Sequence, residues 1–440
     1  MITDFPALPV PLPDEAELAG ELAALGGEPL LGKGVRRTLF PVITKEDVFG
    51  ALLAVRKDPD RVVADFAGAY RDYVGAAYAL PTASGTSSLH LALVGAGVEP
   101  GDEVIVPALT FIATAQAVVA AGGIPVFVDI DPDTYCMDPA AAAAAITGRT
   151  RALMPVHVHG LPADVVALRA LADRHGIALV EDASHAHSAS VGGAIAGSLG
   201  DTAGQSLMAD KNFPLGGEGG IAFFATEQAY QRAVDYLARH HIDYGMSWVA
   251  AAFGSSQLER LPYYDAVRAR NATLLGEALR GTELFTPPYV PDGHVHAYNM
   301  YRARLHPEAV GLGDLPIHAV TDAVHELLVA EGVPAREWQN APIPFHLPFR
   351  HRAGFGNGWP FTLNPGAVRD YTPADFPVTI ATLESTLVLC RELRSPVEWE
   401  RVTRYGHAFA KVARRPDAIR DLVAQRAPRP RPYERAARLG

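Results

Sequence analysis

Between Glu103 and Asp182 the sequence carries four short apolar runs: Glu103-Val-Ile-Val-Pro107, Ile124-Pro-Val-Phe-Val-Asp-Ile130, Arg151–Val158 and Ile177-Ala-Leu-Val-Glu-Asp182. Helix-length segments separate them: Phe111–Ala121, closed by Gly122-Gly123, an Ala-rich run to Ile146 after the Asp131-Pro-Asp133 turn, and Ala163–His175. Continuous apolar strands alternating with helices predict a largely parallel sheet, because only such strands are buried on both faces. Ligands of these sheets sit beyond the carboxyl ends of the strands. Asp182 and the loop after Pro107 lie at such ends.

Beyond residue 230 the pattern changes. Helical periodicity runs over Glu227–His240 and Trp248–Leu279, and a Pro/Gly stretch follows at Pro287–Gly293. Then come a strand at His296–Leu305, a helix at Ala319–Glu331, a Gly/Pro/aromatic loop from Pro342 to Pro365, and helices near Ile380 and Glu398. The expected class is α/β, a large mainly parallel-sheet domain followed by a smaller C-terminal α+β domain. The expected division is an N-terminal extension at 1–49, a large domain at 50–260, a small domain at 261–413 and a basic Pro/Arg tail at 414–440. That tail holds eight Arg against Asp417, Asp421 and Glu434, with four prolines interspersed, and reads as a solvated extension rather than a binding arm.

Composition excludes several classes. The chain has 440 residues, 49% apolar and 20% charged, ample for a buried core. The net charge of −11 argues against nucleic acid as a partner. Apolar stretches such as Ala113–Ile130 are interrupted by Gln, Gly, Pro and Asp, so no transmembrane helix is expected. Met1–Pro13 is proline-rich without a basic start, which argues against a secretory signal. Two cysteines, Cys136 and Cys390, are too few for a disulfide scaffold or a cysteine zinc cluster, and together these features point to the cytoplasm.

Only five of the 38 basic residues are lysines, and Lys211 is the one lysine between positions 58 and 410. Arg serves most surface roles of Lys but forms no imine, because its guanidinium stays protonated. A stray surface lysine is the plain alternative. Ser84-Gly85-Thr86-Ser87 opens a helix whose free N–H groups and dipole suit a phosphate, although a Ser/Thr cap is the commoner reason for such residues. Asp182 suits a cationic ring nitrogen or a ribose, or simply caps the next segment. Phe111 stands where it can stack on a flat ligand, with core packing as the default. His185 and His187, two apart without helical spacing, do not make a metal pair, and no metal is expected. In order, a phosphate cradle, an aromatic, a strand-end Asp and a Ser five residues before a lone Lys form the layout of a pyridoxal phosphate site.

The ordered motifs resemble the DegT/DnrJ/EryC1/StrS family of fold-type-I pyridoxal phosphate aminotransferases, which act mostly on sugars and cyclitols. The resemblance spans roughly residues 35–410. It is carried by Ser84-Gly-Thr-Ser-Ser-Leu-His-Leu-Ala-Leu93, Gly101–Pro107 with Thr110-Phe111, Pro125–Asp131 and Pro155-Val-His-Val-His-Gly160. It continues through Glu181-Asp-Ala-Ser-His-Ala-His187, Gly197-Ser-Leu-Gly-Asp201 and Lys211 with Gly216–Gly220.

The resemblance implies that Lys211 is the Schiff-base lysine and proton shuttle, and that Asp182 pairs with the pyridinium nitrogen. It places His185 near the ring hydroxyl, Phe111 on the ring, and Gly85, Thr86 and Ser206 at the phosphate. His346, His296 and Tyr298 are the substrate candidates, with satisfied structural histidines as the commoner outcome. A homodimer with its site at the interface is implied, with Gln or Glu as donor and a keto sugar, cyclitol or related secondary-metabolite intermediate as acceptor. Asp243-Tyr-Gly-Met-Ser-Trp248 departs from the family's Asn-Tyr-Arg-Met-Ser-Glu: Asp243 sets a carboxylate where Asn normally meets the phosphate, and Gly245 and Trp248 replace polar residues. That departure keeps open a non-transaminating enzyme of the same fold; a catalytically silent homologue is the second alternative, against which the intact Lys211/Asp182 pair argues.

Overall fold

The computed structural model describes residues 18–31, 44–54, 56–426, 429–431 and 433. The Met1–Pro13 segment lies outside these residues. The strands are β1 (Tyr78–Thr82), β2 (Glu103–Pro107), β3 (Ile124–Val128), β4 (Thr150–Leu153), β5 (Ala178–Asp182), β6 (Ser190–Val191), β7 (Ala194–Ile195), β8 (Thr202–Ser206), β9 (Gly220–Phe224), β10 (Phe285–Thr286), β11 (His294–Val295), β12 (Tyr301–Leu305) and β13 (Thr386–Leu389). The α-helices are α1 (Lys45–Ala54), α2 (Pro59–Val74), α3 (Gly85–Gly95), α4 (Ile112–Ala120), α5 (Pro139–Ala145), α6 (Val165–His175), α7 (Glu227–His240), α8 (Trp248–Arg280), α9 (Ile317–Ala330), α10 (Leu347–Arg350), α11 (Pro377–Ser385), α12 (Trp399–Ala413) and α13 (Pro416–Ala424).

Local sequence explains where the helices begin and end. Asp58, Asp138 and Asp164 cap α2, α5 and α6 with their carboxylates, and Pro at the first helical position follows in α2 and α5. Gly75 and Gly176 close α2 and α6 in the left-handed conformation, at φ 83° and 62°.

Seven strands form one sheet in the order β1-β9-β8-β5-β4-β2-β3. Pairing is parallel from β3 to β8, and β9 runs antiparallel to both β8 and β1. The carboxyl ends of β1, β2, β4, β5 and β8 therefore share one edge. Every residue of β2, β3 and β9 is buried. Alternation sends Val104 and Val106 into a core with Leu89 and Val118, and Ile105 into a core with Leu153 and Leu168 on the opposite face. The α/β architecture expected from the sequence is what forms.

A second core surrounds the three-stranded sheet β10-β12-β13, where Leu275, Phe285, Tyr301, Val324 and Phe409 meet. Leu22, Leu30 and Leu31 of the N-terminal segment belong to it. Buried Glu331 holds them there by accepting from Ala23 N at 2.9 Å and Leu30 N at 3.0 Å, and by pairing with buried Lys411 at 2.9 Å. The proposed division at 260/261 falls inside α8. Ala251 and Leu261 of that helix pack with Phe66, and Leu275 and Leu279 pack in the second core. Ile343, Phe349, Phe361 and Phe376 return to the core around β2.

Three expectations are corrected. The strand expected over His296–Leu305 begins only at Tyr301. Ala297 and Met300 give their N–H groups to Gly160 O and His159 O at 2.8 and 3.0 Å, so this backbone anchors to a neighbouring turn instead of a ladder. The strand expected over Arg151–Val158 stops at Leu153, and Val158–Gly160 is a 3₁₀ turn with His159 at φ 59°. The tail is not a solvated extension over its described residues. Pro416 starts α13, whose Ala418, Ile419, Leu422 and Val423 form a helical apolar stripe against the second core. Arg431 and Tyr433 are buried.

Candidate active site

The shared strand edge assembles the residues singled out in the sequence. Strand alternation turns the last two residues of β5 in opposite directions. Glu181 takes the structural direction: it accepts from Gly197, Leu199 and Gly200 N–H groups at 2.7–2.8 Å and meets His157 Nε2 at 2.8 Å. Asp182 faces the other way. One carboxylate oxygen accepts from Thr114 Oγ1 at 2.7 Å and the other from Ser184 N at 3.1 Å. Thr114 in turn meets Thr110 Oγ1 at 2.7 Å, so a hydroxyl chain from α4 fixes this buried carboxylate.

Phe111 stands at the N-cap of α4, one turn before Thr114, with 53% of its surface exposed. An aromatic ring left this open is free to act as a platform for a flat group rather than as a core residue.

The start of α3 closes the opposite side. Ser84 caps the helix and accepts from Ser87 N at 3.2 Å, with a reciprocal bond from Ser84 N to Ser87 Oγ at 3.1 Å. The cap leaves the Gly85 and Thr86 N–H groups at the helix start without an intrahelical partner, at the positive end of the helix dipole. Gly85 lies hard against the end of β8: a Cβ there would stand 2.4 Å from Ser206 Cβ. Gly220 shows the same close approach, its added Cβ falling 2.2 Å from Ser84 O. Thr86 is exposed and Ser206 half-buried, so both hydroxyls line this cradle.

Lys211 lies in the loop between β8 and β9, its N–H bonded to Met208 O at 2.9 Å. Burial lowers its amine from the ordinary lysine value to about 8, against the opposing pull of Asp182, and Arg394 pushes it the same way as burial. Neighbouring Asn212 donates to Ala297 O at 2.8 Å, and Arg394 donates to Asp210 O and Asn299 O, both at 2.8 Å. These bonds tie the lysine loop to the 296–300 segment.

His185 is buried, and its Nδ1 has no hydrogen-bond partner among the described residues. Burial holds it far below the usual histidine range, reinforced by Lys211, His187 and Arg394, so it is neutral. His187 is set by a bond from Nε2 to Ser206 O at 2.9 Å, and burial pushes it down to about 3. Among the described residues no cluster of three or more His, Cys, Asp or Glu side chains suits a metal.

Of the substrate candidates, His296 and Tyr298 stack ring on ring at 4.1 Å, and Tyr298 N donates to His296 Nδ1 at 2.8 Å. They flank Ala297, whose carbonyl receives Asn212, and Gly160 leaves room beneath Tyr298 N and His185 O for only a hydrogen, so this pair stands beside the site. His346 is less central. Its Nε2 meets Ala341 O at 3.3 Å, and the turn that carries it is held to the loop after β2 by Ile343 N to Ala108 O at 2.9 Å.

Sequence reasoning missed Thr114, Asn212, Arg394 and Trp338. The ring of Trp338 meets His159 edge-on at 4.7 Å and His185 at 5.9 Å. Only the helical spacing Phe111-to-Thr114 carried any local signal. At 243–248, Asp243 is exposed and turns into its own loop, accepting from Gly245 N at 2.8 Å, while Tyr244 O accepts from Ala83 N at 2.7 Å. Trp248 packs in the core around Phe66.

A profile of the DegT/DnrJ/EryC1/StrS aminotransferase family matches residues 58–354. The chain is 39% identical over 281 residues to an L-glutamine:2-deoxy-scyllo-inosose aminotransferase of Streptoalloteichus tenebrarius, covering 59% of this chain and 66% of that relative, just under two thirds of its length. A relative of the same name from Streptomyces fradiae is 36% identical over 379 residues, 79% of this chain and 85% of its own. Among solved structures, DesI crystallised with its TDP-sugar product superposes with a TM-score of 0.75 at 27% identity, covering 92% of this chain and 98% of that one. The structure of 3-amino-5-hydroxybenzoic acid synthase gives a TM-score of 0.70 at 29% identity, covering 88% and 98%.

Proposed function

The chain belongs to the DegT/DnrJ/EryC1/StrS aminotransferase family, and from that premise we propose that it moves an amino group from L-glutamine or L-glutamate to a keto group of a cyclitol, sugar or related intermediate, using pyridoxal phosphate. The observation that carries the reading is the convergence on one sheet edge of a lysine with a lowered pKa, a carboxylate fixed by Thr114 and an open helix start. The relatives named for 2-deoxy-scyllo-inosose support the acceptor class.

The donor set fits the cofactor. A Cβ at Gly85 would stand 2.4 Å from Ser206 Cβ, so only glycine lets the start of α3 pack against the end of β8, where its N–H groups suit a phosphate. Asp182 retains lone pairs beyond its two bonds for a ring N–H, and exposed Phe111 is free to pack on a flat ring. The neutral, unpartnered Nδ1 of His185 suits the ring hydroxyl. Pyridoxal phosphate, when bound, supplies a carbonyl that takes an amine and a ring that accepts the electron pair released when the donor carbon loses its proton.

The chain's residues do the rest. Lys211 Nζ is the group that would hold the cofactor and, as a free amine, would take a proton from the donor carbon and give it back. The acceptor half runs the two transfers in reverse. An amine near pKa 8 accepts and returns a proton at neutral pH at little cost in either direction. Asp182 keeps a negative charge under the ring nitrogen, which a buried site makes more effective. The exposed apolar residues Val48, Phe49, Leu52 and Leu53 of α1 support a homodimer. Free Cys136 and Cys390 and, among the described residues, no helix long and apolar enough to cross a membrane support a cytoplasmic enzyme.

The test is the absorbance of purified protein with pyridoxal phosphate. A yellow band that bleaches with L-glutamine or L-glutamate is expected; a band that no donor bleaches moves the reading to a non-transaminating enzyme, and no band moves it to a silent homologue. The sign of the pH dependence follows from Lys211. The neutral amine is the reactive form, so the rate of cofactor uptake by cofactor-free protein should rise about tenfold per pH unit up to roughly 8 and flatten above it. Stopped-flow absorbance across pH 6–10 measures this, and a rise continuing to about 10.5 would show an unperturbed lysine.

A further inference from the structure

We propose that the C-terminal arm, through Arg431, positions Trp338 at the wall of the active site. The inference rests on the aminotransferase reading for what the pocket does, and on geometry for how it is built.

Arg431 is 5% exposed, deep for an arginine near a chain end. Its guanidinium donates to Asp322 Oδ1 at 3.0 Å and His318 O at 3.2 Å on α9, and to Glu337 Oε2 at 3.3 Å. Arg429 reaches the other oxygen of Glu337 at 3.5 Å, and buried Tyr433 bonds to Glu384 of α11. Removing one partner from an ion pair this far from water leaves an uncompensated charge, so the arrangement holds the arm in one place.

Glu337 belongs to a four-residue bridge whose every member is committed. Arg336 exchanges backbone hydrogen bonds with Val388 of β13, N to O at 3.1 Å and O from N at 2.8 Å. Trp338 touches the rings of His159 and His185, and the guanidinium of buried Arg302 lies 5.7 Å from its ring centre. Gln339, at φ 64°, donates to Thr110 O at 2.8 Å, beside Phe111 and the hydroxyl chain to Asp182. One side of the bridge is clamped by the arm and the other side is the pocket wall. Arg302 adds a reason for the wall to need fixing. It donates to His159 Nε2 at 3.2 Å and to Thr386, its charge rests against Trp338 and Tyr135, and no carboxylate pairs with it among the described residues. A loosened Trp338 exposes that charge and frees the histidine rings. Arg431 is thus a positioning residue that acts through Glu337 and Trp338 without touching substrate.

The experiment compares wild type, Arg431→Gln, Arg431→Lys, Glu337→Gln, Trp338→Phe and the Arg431→Gln/Trp338→Phe double variant as full-length, cofactor-loaded protein. Hydrogen exchange over 335–341 reads the bridge directly. It should quicken in Arg431→Gln and in Glu337→Gln while β5 stays protected. In the donor half-reaction, Arg431→Gln should raise the half-saturating L-glutamine concentration about tenfold with the limiting rate and the cofactor band kept, and Arg431→Lys should recover most of the loss. In the Trp338→Phe background the same change should cost less than about twofold, because the two residues act as one unit. Unchanged exchange over 335–341, equal donor effects in both backgrounds, or a fall in Tm with the donor concentration unmoved would each overturn the proposal. A wild type that takes up no cofactor, or bleaches with neither donor, fails the aminotransferase reading instead, and the exchange measurement still decides the strap.

Discussion

Lys211→Ala should lose the yellow band altogether and reduce turnover by at least about 10⁴-fold, since on the proposed function one side chain both holds the cofactor and moves the proton in each half-reaction. Among the described residues, Lys45 and Lys57 are exposed. Lys411 is buried in its pair with Glu331, in the second core. Lys211→Arg keeps the charge but not the chemistry and should be equally colourless, because a guanidinium does not deprotonate. Both variants should retain wild-type far-UV circular dichroism, as the Lys211 side chain donates no hydrogen bond among the described residues that the loop depends on. The loop is held by its backbone bond to Met208 O and by Asn212. Absorbance after dialysis and single-turnover rates with L-glutamine check this, and a band surviving in Lys211→Ala would assign the imine to another amine.

Asp182→Asn should keep the band but slow the donor half-reaction by about 10² to 10³-fold, the scale of losing one preorganised charge from a water-poor site. The substitution preserves shape. The Thr114 hydroxyl can rotate to accept from the new amide and the carbonyl can keep Ser184 N, so the loss isolates the charge. Thr114→Val removes one of the two supports and leaves the charge, and should cost only about three- to tenfold, the scale of one net hydrogen bond of about 1 kcal/mol. Rapid-scan kinetics at saturating donor separate these from weaker binding. Equal rates for Asp182→Asn and wild type would place the ring nitrogen's partner elsewhere.

The two variants also mark how far the sequence was legible. The sheet was visible because β2, β3, β5 and their neighbours are buried on both faces, and burial on both faces writes an uninterrupted apolar run. Asp182 was visible as the polar residue ending such a run, and Lys211 as a lysine in a chain that otherwise uses arginine. The start of α3 was visible because capping and anion binding ask for the same small hydroxyl residues. The tail misled because its arginines and prolines resemble a solvated segment, whereas the apolar stripe at Ala418, Ile419, Leu422 and Val423 is short and Arg431 finds its carboxylates on α9 and in the 337 bridge. The expected strand at His296 failed for a related reason: its backbone partners are Gly160 and His159, more than a hundred residues away.

The sequence by itself determined the periodic features of this protein, namely the parallel sheet and the helices with their Asp, Pro and Gly boundaries, and it singled out the lysine and the strand-end carboxylate on which the proposed function rests. These follow from interactions between residues a few positions apart, or from burial, which acts on each residue according to its own polarity. Only the tertiary structure decided that Thr114 holds Asp182, that Asn212 and Arg394 bind the lysine loop to the 296–300 segment, and that Trp338, His159 and Arg302 form a wall braced from the C-terminal arm. Each of those is a directional contact between distant parts of the chain, and a hydrogen bond or ring contact leaves no periodic trace in either of the sequences it joins.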